Sequence, residues 1–197
     1  RRHKFDILKV QMDRRDFFFV TAAAPLLGQN SVQATEVPQY KVVTAFKPAA
    51  QPGMPGPYKG QVVRVRSGRS VDSSTGKVDG QVVRTMLADG MRALTGDKDD
   101  RDSWARFITP KDVVGVKVNC SGAPNIMSAP EVVAGVVEKL IAVGVPGSNI
   151  YIYQRIMSQM RTDGYEKYVR QGVKIAAAEE DRGSILGYDP NTYVETS

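Results

Sequence analysis

Val113-Val114-Gly115-Val116-Lys117-Val118 is an apolar run of strand length broken by a single charge. It leads to Ser128-Ala129-Pro130-Glu131, whose capping-box spacing and early proline open a helix through Val143. Val132, Val133, Val136, Val137, Leu140 and Ile141 form that helix's packing face, and Gly144 ends it. Asn149-Ile150-Tyr151-Ile152-Tyr153 then supplies a second strand of β-branched and aromatic residues. Strand, capped helix and strand make a βαβ unit, and such crossovers are nearly always right-handed between parallel strands. The mostly apolar first strand predicts cover on both faces.

The same alternation extends outward. Upstream, Gln61-Val62-Val63-Arg64-Val65-Arg66 alternates as a strand with one polar face. Asp79 caps a helix running to Leu94, with Val83, Leu87, Met91 and Leu94 on one stripe and Gly96 as its stop. Asp97–Asp102 reads as an acidic, solvated loop, and Trp104, Phe107 and Ile108 as a short helical anchor. Downstream, a helix over Asp163–Arg170 and a strand over Val173–Ala177 continue the pattern. The expected fold is α/β: a mostly parallel sheet with flanking helices in Rossmann-like layering. After Ala178 the chain turns polar and reaches Thr196-Ser197 without closing an element, so it reads as the N-terminal part of a longer protein, incomplete at the C-terminus.

Ahead of the α/β domain (61–197) lie three further segments. Residues 1–11 read as an upstream segment, either upstream translation or the tail of a fragment. Residues 12–34 read as an export signal: Arg14-Arg15 with Phe17 beyond them resembles the twin-arginine motif, an apolar stretch follows, and Ser31-Val32-Gln33-Ala34 offers small residues for cleavage after Ala34. That apolar stretch is shorter than the roughly 20 residues a membrane span needs, so no stable span is expected after cleavage. Residues 35–60, dense in proline and glycine, read as an arm or linker, with Val42-Val43 as a short edge strand.

Composition narrows the chemistry. The chain has 197 residues, with 27 basic against 21 acidic, one Cys and one His. One cysteine excludes an intramolecular disulfide and a cysteine-ligated iron–sulfur cluster on this chain alone. The one histidine, His3, precedes the domain, which excludes histidine-ligated zinc and a Ser–His–Asp triad within it. Without residues 1–34 the net charge falls to +3, and no basic run interleaved with aromatics remains, so nucleic acid is not an expected partner.

Ligands of parallel α/β sheets bind beyond the carboxyl ends of the strands. That edge carries Lys117, Asn119, Cys120 and Ser121 after one strand and Gln154, Arg155 and Ser158 after the next, with Arg161 beyond. Lys117 stands out, because an ammonium in an apolar strand needs an anion, a carboxylate such as Asp112, or an exit to water. The candidate anion site is Lys117 and Asn119, supported by Ser121 and Arg155. Cys120 has no histidine to activate it and reads as an inert thiol. The loop glycines lack dinucleotide-fingerprint spacing, and the acids of 97–102 lack calcium-loop spacing. No cofactor is assigned.

Gly56-Pro57-Tyr58, Val62-Val63-Arg64-Val65, Asp112-Val113-Val114-Gly115-Val116-Lys117-Val118-Asn119, Ser128-Ala129-Pro130-Glu131-Val132-Val133, the Leu140–Val145 segment and Gly187-Tyr188-Asp189-Pro190 resemble the family catalogued as domain of unknown function 362. The resemblance spans roughly residues 56–195, with Gly115–Asn119 its most specific element. It implies export by the twin-arginine machinery to the periplasm or beyond, and longer relatives whose further half holds more lysine and histidine. Some relatives carry ferredoxin-type cysteine clusters, which this chain lacks. The family has no common reaction. Three functions therefore stand open: binding of a small anionic metabolite or cofactor, as part of an enzyme; a non-catalytic accessory module for an exported redox system; and a surface interaction protein docking through its proline-rich arm.

Overall fold

The computed structural model describes residues 6–11, 39–45, 47, 50, 53, 56–168, 172–181, 187 and 191–196. The export signal, with Arg14, Arg15 and Ala34, lies outside the described residues. In chain order the elements are β1 (Asp6–Gln11), β2 (Tyr40–Val43), β3 (Gln61–Arg66), α1 (Gly80–Thr95), α2 (Asp100–Ala105), β4 (Val114–Lys117), α3 (Pro130–Val143), β5 (Ile150–Ile156), α4 (Met157–Thr162), β6 (Lys174–Glu179) and β7 (Tyr193–Thr196). Single 3₁₀ turns cover Gly147–Asn149 and Tyr165–Tyr168. The fold is α/β, with a three-stranded parallel sheet in the order β4-β5-β6 flanked by helices.

The chain forms two compact units, residues 1–10 with 61–187, and 11–60 with 188–197. In the second, β2 and β7 pair antiparallel, with Val42 opposite Val194 and Val43 opposite Tyr193. The tail thus closes an element that the sequence reading left open. The first unit holds the parallel sheet and the helices. There β1, within the segment read as upstream, pairs with β3.

The α1 helix forms where its caps predict. Asp79 accepts hydrogen bonds from the N–H groups of Gln81 (2.9 Å) and Val82 (3.0 Å), a cap worth about 1 kcal/mol. Gly96 ends it at φ 82°, a left-handed conformation that glycine adopts without steric penalty. Arg84 of α1 grips Glu138 of α3 through two hydrogen bonds, 2.6 and 2.8 Å. The acids after Gly96 are not a solvated loop. Asp99 caps α2, accepting from Arg101 (2.8 Å), and Asp100 and Asp102 occupy its first turn, where the helix dipole favours negative charge. Asp97 pairs with Arg106 at 2.8 Å.

The core lies between one face of the sheet and α3. Val118, Ile150 and Ile152 pack with Val133, Val137 and Leu140, and Met160 and Tyr165 are wholly buried beside them. Residues on the opposite face of the sheet stay exposed, notably Gly115, Lys117, Tyr153, Arg155 and Lys174. β4 is the margin of the sheet and only one of its faces is covered, against the expectation of cover on both. Val113, at its start, is 70% exposed.

Two further expectations shift. The helix expected over Asp163–Arg170 starts earlier, as α4, because Met157 continues directly from β5 and Met160 anchors the turn in the core. The capping box before α3 does not form: Ala129 is the N-cap and makes no side-chain bond. The Ser128 hydroxyl is occupied elsewhere, accepting the Asn119 N–H at 3.0 Å.

Candidate functional site

The carboxyl end of β4 runs into a loop, residues 119–128, that folds back on itself. Asn119 organises it: its backbone N–H goes to Ser128 Oγ, its Nδ2 donates to the Ile126 carbonyl (3.2 Å), and its Oδ1 accepts the Ser121 N–H (3.3 Å). Ser128 N–H returns to the Asn119 carbonyl at 2.9 Å, and Ile126 N–H to the Gly122 carbonyl at 2.7 Å. The Ala123–Pro124 peptide is cis. Tyr165 clamps the far end, its hydroxyl donating to the Ser128 carbonyl. Asn119 is therefore a loop former by every polar group it has, rather than an open ligand contact.

Lys117 sits at the last position of β4, on the exposed face, in register with Tyr153 of β5. Its Nζ donates to the Val118 carbonyl at 2.6 Å. Among the described residues no carboxylate lies within ion-pair distance of it. Asp112, the alternative partner, instead accepts the Thr109 N–H at 2.7 Å. Ser121 stands exposed in the loop.

Arg155 shares the exposed face with Lys117, on the neighbouring strand. Its Nε donates to Glu179 Oε1 at 2.7 Å, and that carboxylate is only 4% exposed. A buried carboxylate needs such a partner, so Arg155 serves Glu179 at the end of β6. Gln154 points into the core and donates to the Ile156 carbonyl and to Gln159 Oε1. Arg161 pairs with Glu180 and Glu166. The second wall imagined from Gln154, Arg155 and Arg161 thus divides into structural contacts, while Lys117 and Ser121 remain turned outward.

Behind the loop lies a polar cluster absent from the sequence reading. Cys120 is 3% exposed and faces Asp163 and Tyr165. Burial first, then the hydrogen bond and charge of Asp163, push its thiol up to about 11, so it is protonated at neutral pH and inert as a nucleophile. Burial, and then Cys120, raise the Tyr165 hydroxyl as well. Asp163-Gly164 has the look of a surface turn in sequence, and nothing local announces that its carboxylate meets a thiol. Glu179, the last residue of β6, carried a readable signal, as an acid ending one strand beside Arg155, the penultimate residue of its neighbour β5.

On the open face, the Tyr153 ring lies across Gly115, 3.0 Å from where a Cβ would stand. Lys174 lies 2.9 Å from the Tyr151 hydroxyl and 4.8 Å from its ring centroid, a cation–π contact. The face is aromatic and basic. Among the described residues no group of three or more His, Cys, Asp or Glu is placed to hold a metal ion, and no helix is long and apolar enough to cross a membrane. Comparison of the chain with protein-family models, with curated proteins and with solved structures found no match in any of the three.

Proposed function

We propose that this chain is an exported α/β protein that binds a small anionic metabolite or cofactor at the carboxyl end of β4. Lys117 is the anchor and Ser121 the neighbouring hydroxyl donor, with Asn119 shaping the loop and Arg155, tied to Glu179, flanking it on the next strand. The observation that carries this reading is Lys117 itself. Its ammonium has three donors, one of them directed at the Val118 carbonyl, and no carboxylate near it among the described residues. The remaining donors suit a carboxylate or phosphate approaching the open face. Export rests on the Arg14-Arg15 signal, and membership of the domain of unknown function 362 family, with its Rossmann-like layering, rests on the motifs quoted above.

Isothermal titration of the full chain with inorganic phosphate and with citrate tests the site, alongside mass spectrometry of small molecules that co-purify with the exported protein. Saturable binding that Lys117→Met weakens supports the reading. Absence of binding by either anion, with no co-purifying acid, overturns it. A non-catalytic accessory module for an exported redox system is the second reading, favoured by the open sheet face, where Tyr153 is 41% exposed. Parallel sheets are ordinarily covered on both sides, so such a face suits a docked partner.

A further inference from the structure

The face of the parallel sheet turned away from α3 has two complete rows. Gly115, Tyr151 and Lys174 stand level across β4, β5 and β6, and Lys117, Tyr153 and Ala176 stand level in the next row. The tyrosines thus form a strip along the central strand, with Lys117 on one side and Lys174 on the other. The small residues opposite each lysine leave the strip uncovered, and Tyr153 is 41% exposed. The only acid in the three strands, Glu179, is buried level with Ile156 and is held by Arg155. Lys117 commits one donor to the Val118 carbonyl and Lys174 one to the Tyr151 hydroxyl, at 2.6 and 2.9 Å. Among the described residues neither has a carboxylate within ion-pair distance.

The spacing and the charge of this face select its occupant. Parallel sheets carry helices on both faces, and α3 packs on only one of these. Neighbouring strands stand about 4.8 Å apart, so β4 and β6 are separated by about 10 Å. A helix with its side chains is about 10–12 Å across, so one laid along β5 spans the strip and brings a flank to each lysine. A second copy of the chain suits the face poorly, because a two-fold contact would set two acid-free, basic surfaces against each other. Nucleic acid is served no better, since only Lys117 and Lys174 are uncommitted to a carboxylate and they lie on opposite strands.

We propose that this face docks an amphipathic helix of a partner protein, its apolar stripe seated on Tyr151 and Tyr153 and its acidic flanks paired with Lys117 and Lys174. The inference rests on the accessory-module reading and gives it a partner of defined chemistry.

Photocrosslinking from Tyr153→p-benzoylphenylalanine in the full chain, within the cells that produce it, reads the occupant directly. Mass-spectrometric mapping of the adduct is expected to find a segment of another protein with apolar residues at i, i+3, i+4 and i+7 and Asp or Glu on both flanks. That segment, made as a labelled peptide, is expected to bind the purified full chain saturably in fluorescence anisotropy. Lys174→Glu is expected to weaken it about tenfold or more, and Lys174→Arg to leave it within about twofold. Lysines in place of the acids on one flank of the peptide are expected to restore binding to the Lys174→Glu variant, which a merely misfolded variant would not allow. An adduct within the chain itself, with a second copy or with nucleic acid overturns the proposal, as does peptide binding indifferent to Lys174→Glu. A partner segment without flanking acids overturns it and leaves the accessory-module reading standing. The absence of any adduct removes both.

Discussion

The carbonyl oxygen of Ile126 occupies the space that a Cβ on Gly122 would need. The same two residues are tied by the hydrogen bond from Ile126 N–H to the Gly122 carbonyl. The obstacle is backbone, which cannot swing aside as a side-chain tip can. Gly122→Ala is expected to destabilise the protein by about 1–3 kcal/mol, the scale of an overpacked site. It should also speed hydrogen exchange at the Ile126 amide. Gly68→Ala, where nothing lies within 4 Å of the new Cβ, is the control and should melt like the parent.

Lys117 and Arg155 occupy one face and are expected to behave differently. Lys117→Met deletes a charge that has no carboxylate within ion-pair distance among the described residues, so stability should stay within about 0.5 kcal/mol of the parent, as for an ordinary surface substitution. Phosphate or citrate binding should weaken by about 1.5–3 kcal/mol, the value of a charge-assisted hydrogen bond. Arg155→Met leaves Glu179 buried without this partner and should cost about 1–3 kcal/mol of stability, discounted from a fully buried pair because the arginine is itself largely exposed. Melts and titrations of both variants separate the roles. A Lys117→Met protein that loses stability and keeps its affinity would make Lys117 structural.

How much of this was readable beforehand differs between fold and site. Helix α1 was legible because its determinants are local: Asp79, one apolar stripe and Gly96 all lie within its own turns. The parallel pairing of β4 with β5 followed from the helix between them. What failed was decided by partners distant in sequence. Ser128 has capping-box spacing, yet its hydroxyl goes to Asn119, nine positions back. The apolarity of β4 reads as double burial, whereas its place at the sheet margin decides its exposure. Within the site, Lys117 was identifiable as an oddity in its strand, but the commitment of Arg155 to Glu179 depends on the pairing of β5 with β6.

The buried thiol makes stability depend on alkaline pH. The folded chain holds the Cys120 proton up to about 11, whereas the unfolded chain releases it near 9. The stabilisation is therefore complete below about pH 9 and is lost as pH rises towards 11, about 2–3 kcal/mol in all. Urea unfolding of the parent and Cys120→Ala between pH 8 and 11 checks this, through the slope with pH rather than the absolute stability. The variant's slope should be shallower, with Tyr165 sustaining a decline at higher pH. Parallel slopes would show that the thiol does not titrate in this way.

Export has its own measurement. Changing Arg14 and Arg15 together to Lys should leave the precursor in the cytoplasm with residues 12–34 still attached, because the machinery reads the arginine pair as an address. Processing of the double variant at the parental rate would remove the twin-arginine reading and leave the anion site untouched.

The pairing of β2 with β7 carries a kinetic consequence. Lys41 meets Glu195 across that ribbon at 3.2 Å, 154 positions away along the chain. Contacts of such separation incur loop-closure entropy before they return any stabilisation, and they slow folding in proportion. The ribbon is thus expected to zip up last on refolding and to fray first under denaturant, while the local βαβ unit assembles early. A crosslink between positions 41 and 195 would move that late step to the beginning.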